Sequence, residues 1–115
     1  MSQLNEVEKT LKDELLKSHM DNGVYFQDPK TTFVDEKVII KPGTKIMANT
    51  HLTGNTEIHE NCTVGPNTMI NESKIGKGST VLFSVLDEVI IQGTATIGPY
   101  AHLRKGSVLE EGVKV

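Results

Sequence analysis

The sequence predicts a mainly β chain: a parallel β-helix of hexapeptide repeats, preceded by one amphipathic α-helix. Two observations carry the prediction. An aliphatic residue recurs every six residues through most of the chain, and in the full six-residue units a small or β-branched residue follows it at a fixed offset. Composition agrees. With no Trp, two Tyr and three Phe in 115 residues, a core has to be built from stacked Ile, Val and Leu. That suits a solenoid, whose thin layers bury themselves on their neighbours.

The aliphatic series runs Val34, Ile40, Ile46, Leu52, Ile58, Val64 and Ile70, then Ile75, Val81, Leu86, Ile91, Ile97, Leu103, Leu109 and Val115. A hexapeptide period signifies a parallel β-helix, whereas an amphipathic helix repeats near 3.6 and an antiparallel strand near two. Four residues after the aliphatic position stand Val38, Thr44, Thr50, Thr56, Cys62, Thr68, Ser79, Ala95, Ala101, Ser107 and Val113, all small or β-branched, as an inward site in a narrow coil requires. One residue earlier stand Gly43, Asn49, Asn55, Asn61, Asn67, Gly78, Gly106 and Gly112. Gly and Asn tolerate left-handed backbone best, so corners are expected there. Lys37, Thr94 and Tyr100 break that column. Three steps, Ile70 to Ile75, Val81 to Leu86 and Leu86 to Ile91, are five residues long. They are either shortened corners or a shaped groove between subunits. Three hexapeptides per coil give roughly four to five coils, a prism on the order of 20 Å tall. The ladder stops at Val115 with a parallel edge that a further segment or a partner is expected to cover.

Ahead of the repeat, Gln3 to Met20 contains no Gly or Pro. Leu4, Val7, Leu11 and Leu15 follow helical spacing, widened by Leu16 and Met20. Asn5 with Glu8 has the form of a capping box, with Ser2 as a rival start, and Asp21-Asn22-Gly23 supplies the stop. Glu6, Lys9, Asp13 and Lys17 make the solvated face. The apolar stripe is expected to cap the open end of the solenoid, with Tyr25, Phe26 and Phe33 packing the helix onto the first coil. Residues 1–23 are thus assigned to the helix and 24–115 to the β-helix.

Charge and chemistry bound the function. A net charge of −3 with scattered lysines lacks the basic stripe that nucleic-acid binding needs. No apolar run approaches the ~18 residues of a membrane span. The start MSQLNEVEKT lacks the features of a signal peptide, and a single cysteine excludes an internal disulfide. A cytoplasmic protein is expected, with neither nucleic acid nor membrane as partner. His51 and His102 close their repeats and His59 follows Ile58, so all three are expected to face outward; none, nor His19, is assigned a catalytic role. No cluster has metal-ligand spacing. Cys62 is read as an inward filler, Asp87-Glu88 as a solvated pair at an irregular corner, and Gly65-Pro66 and Gly98-Pro99 as corner punctuation.

The phrases HMDNGVYFQDP, NTHLTGNTEIHENCTVGPNTMI and IGPYAHLRKGSVLEEGVKV give a further clue. Through them the run from Val7 to Val115 resembles the linker helix and first coils of the bifunctional N-acetylglucosamine-1-phosphate uridyltransferase and glucosamine-1-phosphate acetyltransferase. The resemblance implies a left-handed coil, against the usual crossover rule. It also implies a homotrimer with sites between subunits, and a place in UDP-N-acetylglucosamine synthesis. The family uses acetyl-CoA and Mg. Nothing here matches its glycine-rich nucleotide loop or the later coils that carry its catalytic histidine and acetyl-CoA groove, so no cofactor and no catalytic residue is assigned. Arg104 alone falls on a ligand-touching motif, the His-Leu-Arg stretch that helps hold the sugar phosphate. The usual following proline is Lys105, which could add charge. A guanidinium fork suits a phosphate. The expectation is a truncated relative that binds a sugar phosphate or UDP-sugar without being catalytically competent alone. A ligand-binding module without turnover and a trimeric assembly module are the alternatives.

Overall fold

The computed structural model describes the backbone of residues 2–115 and the side chains of residues 11–115. Helix α1 spans Ser2–Asp21, starting ahead of Asn5, and fifteen short strands follow it. The side chains of Leu4, Asn5, Glu6, Val7, Glu8 and Lys9 lie outside the described residues.

The strands form three five-stranded parallel sheets, each strand pairing with its counterpart in the next coil. The first face holds Tyr25–Phe26, Lys45–Ile46, Thr63–Val64, Thr80–Val81 and Thr96–Ile97. The second holds Phe33–Val34, Thr50–Thr53, Thr68–Asn71, Val85–Asp87 and His102–Leu103. The third holds Ile39–Ile40, Glu57–Ile58, Lys74–Ile75, Ile90–Ile91 and Val108–Leu109. This is the expected parallel β-helix, and it is consistent with the left hand that the resemblance implies. Five rungs about 4.8 Å apart make a prism roughly 20 Å tall, and with the helix the molecule reaches 46 Å.

The period of six is the stacking of these faces. On the second face Val34, Leu52, Ile70, Leu86 and Leu103 stand one above another. From Ile46 to Leu86 the inward aliphatics are fully buried, while Leu103 and Leu109 in the last coil are partly covered. The ladder begins one strand before the periodic series, because Phe26 pairs with Ile46. Eight residues separate Phe26 from Val34, so a search at period six passes over that rung.

The small-residue column does more than fill space. At five corners the strand pairing lapses, and the next coil's backbone N–H meets an inward hydroxyl. Cys62 N–H donates to Thr44 Oγ1 at 3.2 Å, and that hydroxyl donates to the His59 carbonyl at 2.8 Å. Ser73 N–H donates to Thr56 Oγ1, Val89 N–H to Ser73 Oγ, Ala95 N–H to Ser79 Oγ and Ala101 N–H to Ser84 Oγ. These hydroxyls are all buried. Each one carries a backbone donor that would otherwise be orphaned in an apolar interior.

Left-handed backbone marks the corners, with corrections to the sequence reading. Asn49, Asn61 and Asn67 adopt positive φ, but Gly54 and Gly93 take it in place of Asn55 and Thr94. The five-residue steps are shortened corners whose left-handed residues are Glu72, Phe83 and Glu88, and Tyr100 joins them at φ 66°. Placing a bulky residue there costs roughly 1–2 kcal/mol relative to ordinary backbone.

Helix α1 stops where expected. Val24 N–H donates to the His19 carbonyl at 3.1 Å and Gly23 N–H to the Met20 carbonyl at 3.0 Å, with Gly23 at φ 90°. This is a Schellman closure. Docking is narrower than the stripe suggests. Leu16 is buried and Leu15 partly so, while Leu11 and Met20 are exposed, because only the last turns of the helix lie over the coil. Phe26 is buried against His19, their ring centroids 6.3 Å apart. Tyr25 points outward, and Phe33 is exposed beside Leu11 and Leu15 in a groove of about 830 Å³.

Replacing Thr44 with Val keeps the shape but strands the Cys62 N–H. Thr44→Val is expected to lose about 1–3 kcal/mol in urea unfolding, and Thr44→Ser far less. Equal stability of Thr44→Val and the parent would reduce the column to packing.

Candidate functional site

Arg104 stands at the corner between the second and third faces in the last coil. Its carbonyl accepts from Ser107 N–H at 3.1 Å and Ser107 Oγ at 2.8 Å, and Gly106 at φ 88° completes a type II turn. The side chain projects outward and is exposed. Lys105 occupies the position of that turn where proline is favoured. Its Nζ reaches Glu88 Oε2 at 3.5 Å, with the lysine side chain 80% exposed, an ion pair of small energetic value.

Below Arg104 the same corner carries a polar ladder that sequence reasoning missed. Thr53 Oγ1 donates to Asn71 Oδ1, and Asn71 Nδ2 donates to Asp87 Oδ1, both at 2.8 Å. Leu86 pairs with Leu103, so Asp87 and Arg104 are successive rungs. Asp87 and Glu88 are therefore engaged rather than merely solvated, one by Asn71 and the other by Lys105. The signal in the sequence was their spacing: seventeen residues separate Asp87 from Arg104, as they separate Leu86 from Leu103. Arg104 itself enters no ion pair among the described residues. His102 lies two residues before it and also points outward. The corner thus offers a guanidinium and a lysine to an anion beside the Asp87 and Glu88 carboxylates, with an imidazole on the adjoining face. It offers no activated nucleophile.

The other candidates are placed apart. His59 lies on another corner, Nε2 3.2 Å from Glu57 and Nδ1 3.8 Å from Glu60. His51 stacks on Phe33 with centroids 6.2 Å apart. Cys62 is an inward filler as read: its thiol is buried and contacts the Gly76 carbonyl at 3.2 Å. Burial pushes its pKa up, opposite to what a nucleophile needs. Among the described residues no three His, Cys, Asp or Glu side chains converge on a metal position, and no helix is long and apolar enough to cross a membrane.

The family described as the GMPPB C-terminal domain matches residues 31–115, all of the β-helix but its first strand. The chain belongs to that family. Bifunctional protein GlmU of Desulfitobacterium hafniense is 37% identical over 114 residues, 99% of this chain and 25% of that protein. Its counterpart in Geotalea uraniireducens is 40% identical over 115 residues, and that in Caldanaerobacter subterraneus 40% over 108. The resemblance to the bifunctional enzymes is therefore borne out from helix to last coil, and the chain spans about a quarter of the length of these curated relatives.

His19 gives the site-bearing domain a pH dependence. Its Nε2 is buried without a hydrogen-bond partner, and desolvation lowers its pKa below 6.5. The unfolded chain takes up a proton that the folded chain resists. The stability this contributes is full above pH 6.5 and is lost as pH falls toward the folded value. The urea midpoint is expected to drop between pH 8 and pH 5.5 more steeply in the parent than in His19→Phe; parallel profiles would contradict the assignment.

Proposed function

We propose that this chain is a nucleotide-sugar or sugar-phosphate related member of the bifunctional uridyltransferase/acetyltransferase group that binds its ligand's phosphate through Arg104. The observation that carries the reading is a guanidinium that has no ion pair among the described residues, at the head of the Thr53–Asn71–Asp87 ladder. A fork donor of this kind binds a phosphate monoester in two parallel hydrogen bonds. Lys105 adds charge. The protein works in the cytoplasm as a homotrimer, in the supply of UDP-N-acetylglucosamine for cell-wall precursors. This segment alone does not transfer acetyl groups, since its described histidines are exposed, ion-paired or stacked away from Arg104, apart from the buried His19.

A second reading, a trimeric assembly module without small-molecule turnover, is favoured by the apolar side chains exposed on the second face. Ligand-observed NMR with glucosamine-1-phosphate and with UDP-N-acetylglucosamine separates the two. Binding by the parent that weakens more than tenfold in Arg104→Ala, with no acetylated sugar formed when acetyl-CoA is added, is expected. Absence of binding, or equal binding by both proteins, overturns the role of Arg104 and leaves the assembly reading.

A further inference from the structure

The three faces of the prism differ in what they show to the outside. The outward positions along the middle of the second face are Phe33, His51, Met69, Val85 and His102. None is Asp, Glu, Lys or Arg, in a chain that is 23% charged. Phe33, Met69 and Val85 are 44%, 48% and 40% exposed. The first face carries Lys45 and a run of threonines, and the third carries Glu57 and Lys74 in ladder register. The corner opposite the second face carries Lys41, Glu60, Lys77, Glu110 and Glu111. Charge is thus displaced to the two corners that bound the third face, the other of them carrying Asp35, Glu72, Asp87, Glu88, Arg104 and Lys105.

The uncharged surface continues round the corner between the first and second faces. There the left-handed positions are Asn49 and Asn67, then Phe83 and Tyr100. Asn49 Nδ2 donates to Asn67 Oδ1 at 2.7 Å, continuing the fold's own ladder. The two aromatic rings above them lie 6.0 Å apart, with Phe83 36% and Tyr100 84% exposed. A bulky residue in this conformation is strained, and in the isolated chain the exposed rings return little of that cost as buried area. Asn would be better there, as the coils below demonstrate.

We infer that the second face and the Phe83–Tyr100 edge are the surface through which copies of this chain associate, the face of one copy against the aromatic edge of the next. The inference rests on the homotrimer proposed above and names its contact. Aromatic residues and Met enriched, and charge depleted, are what interface centres show. Size selects a ring over a pair. A flat face about 20 Å on a side offers about 400 Å², half the roughly 800 Å² per partner of a stable complex. A closed ring lets each copy use two adjoining patches, one on each neighbour, as heterologous contacts require.

Sedimentation velocity at micromolar concentration, with circular dichroism as the check on folding, tests this with three variants. Met69→Lys places a charge on an exposed position of the face. Phe83→Asn/Tyr100→Asn substitutes the residue that the lower coils already use. Thr80→Lys is the control on the first face. An oligomeric parent, monomeric but folded Met69→Lys and Asn variants, and an oligomeric Thr80→Lys are expected. Should the Asn pair fail to fold, Met69→Lys decides alone. An oligomer that survives Met69→Lys, or one that Thr80→Lys also dissociates, overturns the assignment of the face while leaving the trimer standing. A monomeric parent overturns both, and the NMR titration of Arg104 still reports on the ligand separately.

Discussion

A solenoid corner cannot complete its own hydrogen bonds, and everything else in this molecule depends on how the next coil completes them. Between strands the backbone leaves the ladder, and at five corners an N–H turns inward, where no water can reach it. The chain answers with hydroxyls. Thr44, Thr56, Ser73, Ser79 and Ser84 each accept an amide from the coil above. Thr44, Ser79 and the others also return a proton to a corner carbonyl. Leaving such a donor unpaired costs about 1–3 kcal/mol, so the column of small residues is a hydrogen-bonded seam down each edge of the prism.

The seam allows the corners to vary without losing register. Three corners are one residue short, and the turn is then made by Glu72, Phe83 or Glu88 in left-handed backbone. Ser73, Ser84 and Val89 keep the inward position all the same. Stacking therefore brings together residues far apart in the chain. Thr53, Asn71, Asp87 and Arg104 form one vertical line, although unequal numbers of residues separate them. Arg104 stands at the end of that line by backbone register. The rung below it carries a carboxylate that Asn71 holds, and its own side chain points outward.

Much of the fold was legible in the sequence because the period of six is imposed by the stacking itself: each inward aliphatic repeats where a face repeats. Legibility failed where the step changed length. Phe26 belongs to the first rung, yet eight residues separate it from Val34. The helix stripe was read as buried, whereas within its described part Leu15, Leu16 and the turn around His19 meet the coil and Leu11 and Met20 stay exposed. Of the candidate site, Arg104 was reached through a resemblance and not through its chemistry. Asp87 was passed over because its partners lie sixteen or seventeen residues away. The hydroxyl seam was invisible for another reason: Thr chosen for its shape and Thr chosen for its oxygen are written with the same letter.

Hydrogen exchange at the corner amides tests this account most directly. The amides of Ser73, Val89 and Ala95 lie at corners where an ordinary loop would exchange quickly. If hydroxyls from the coil below hold them, they exchange only when the whole β-helix opens, as slowly as the strand amides of Met69 and Lys74. Exchange as fast as that of an exposed turn amide such as Lys37 would mean that the corners open freely, and that packing alone holds the coils together.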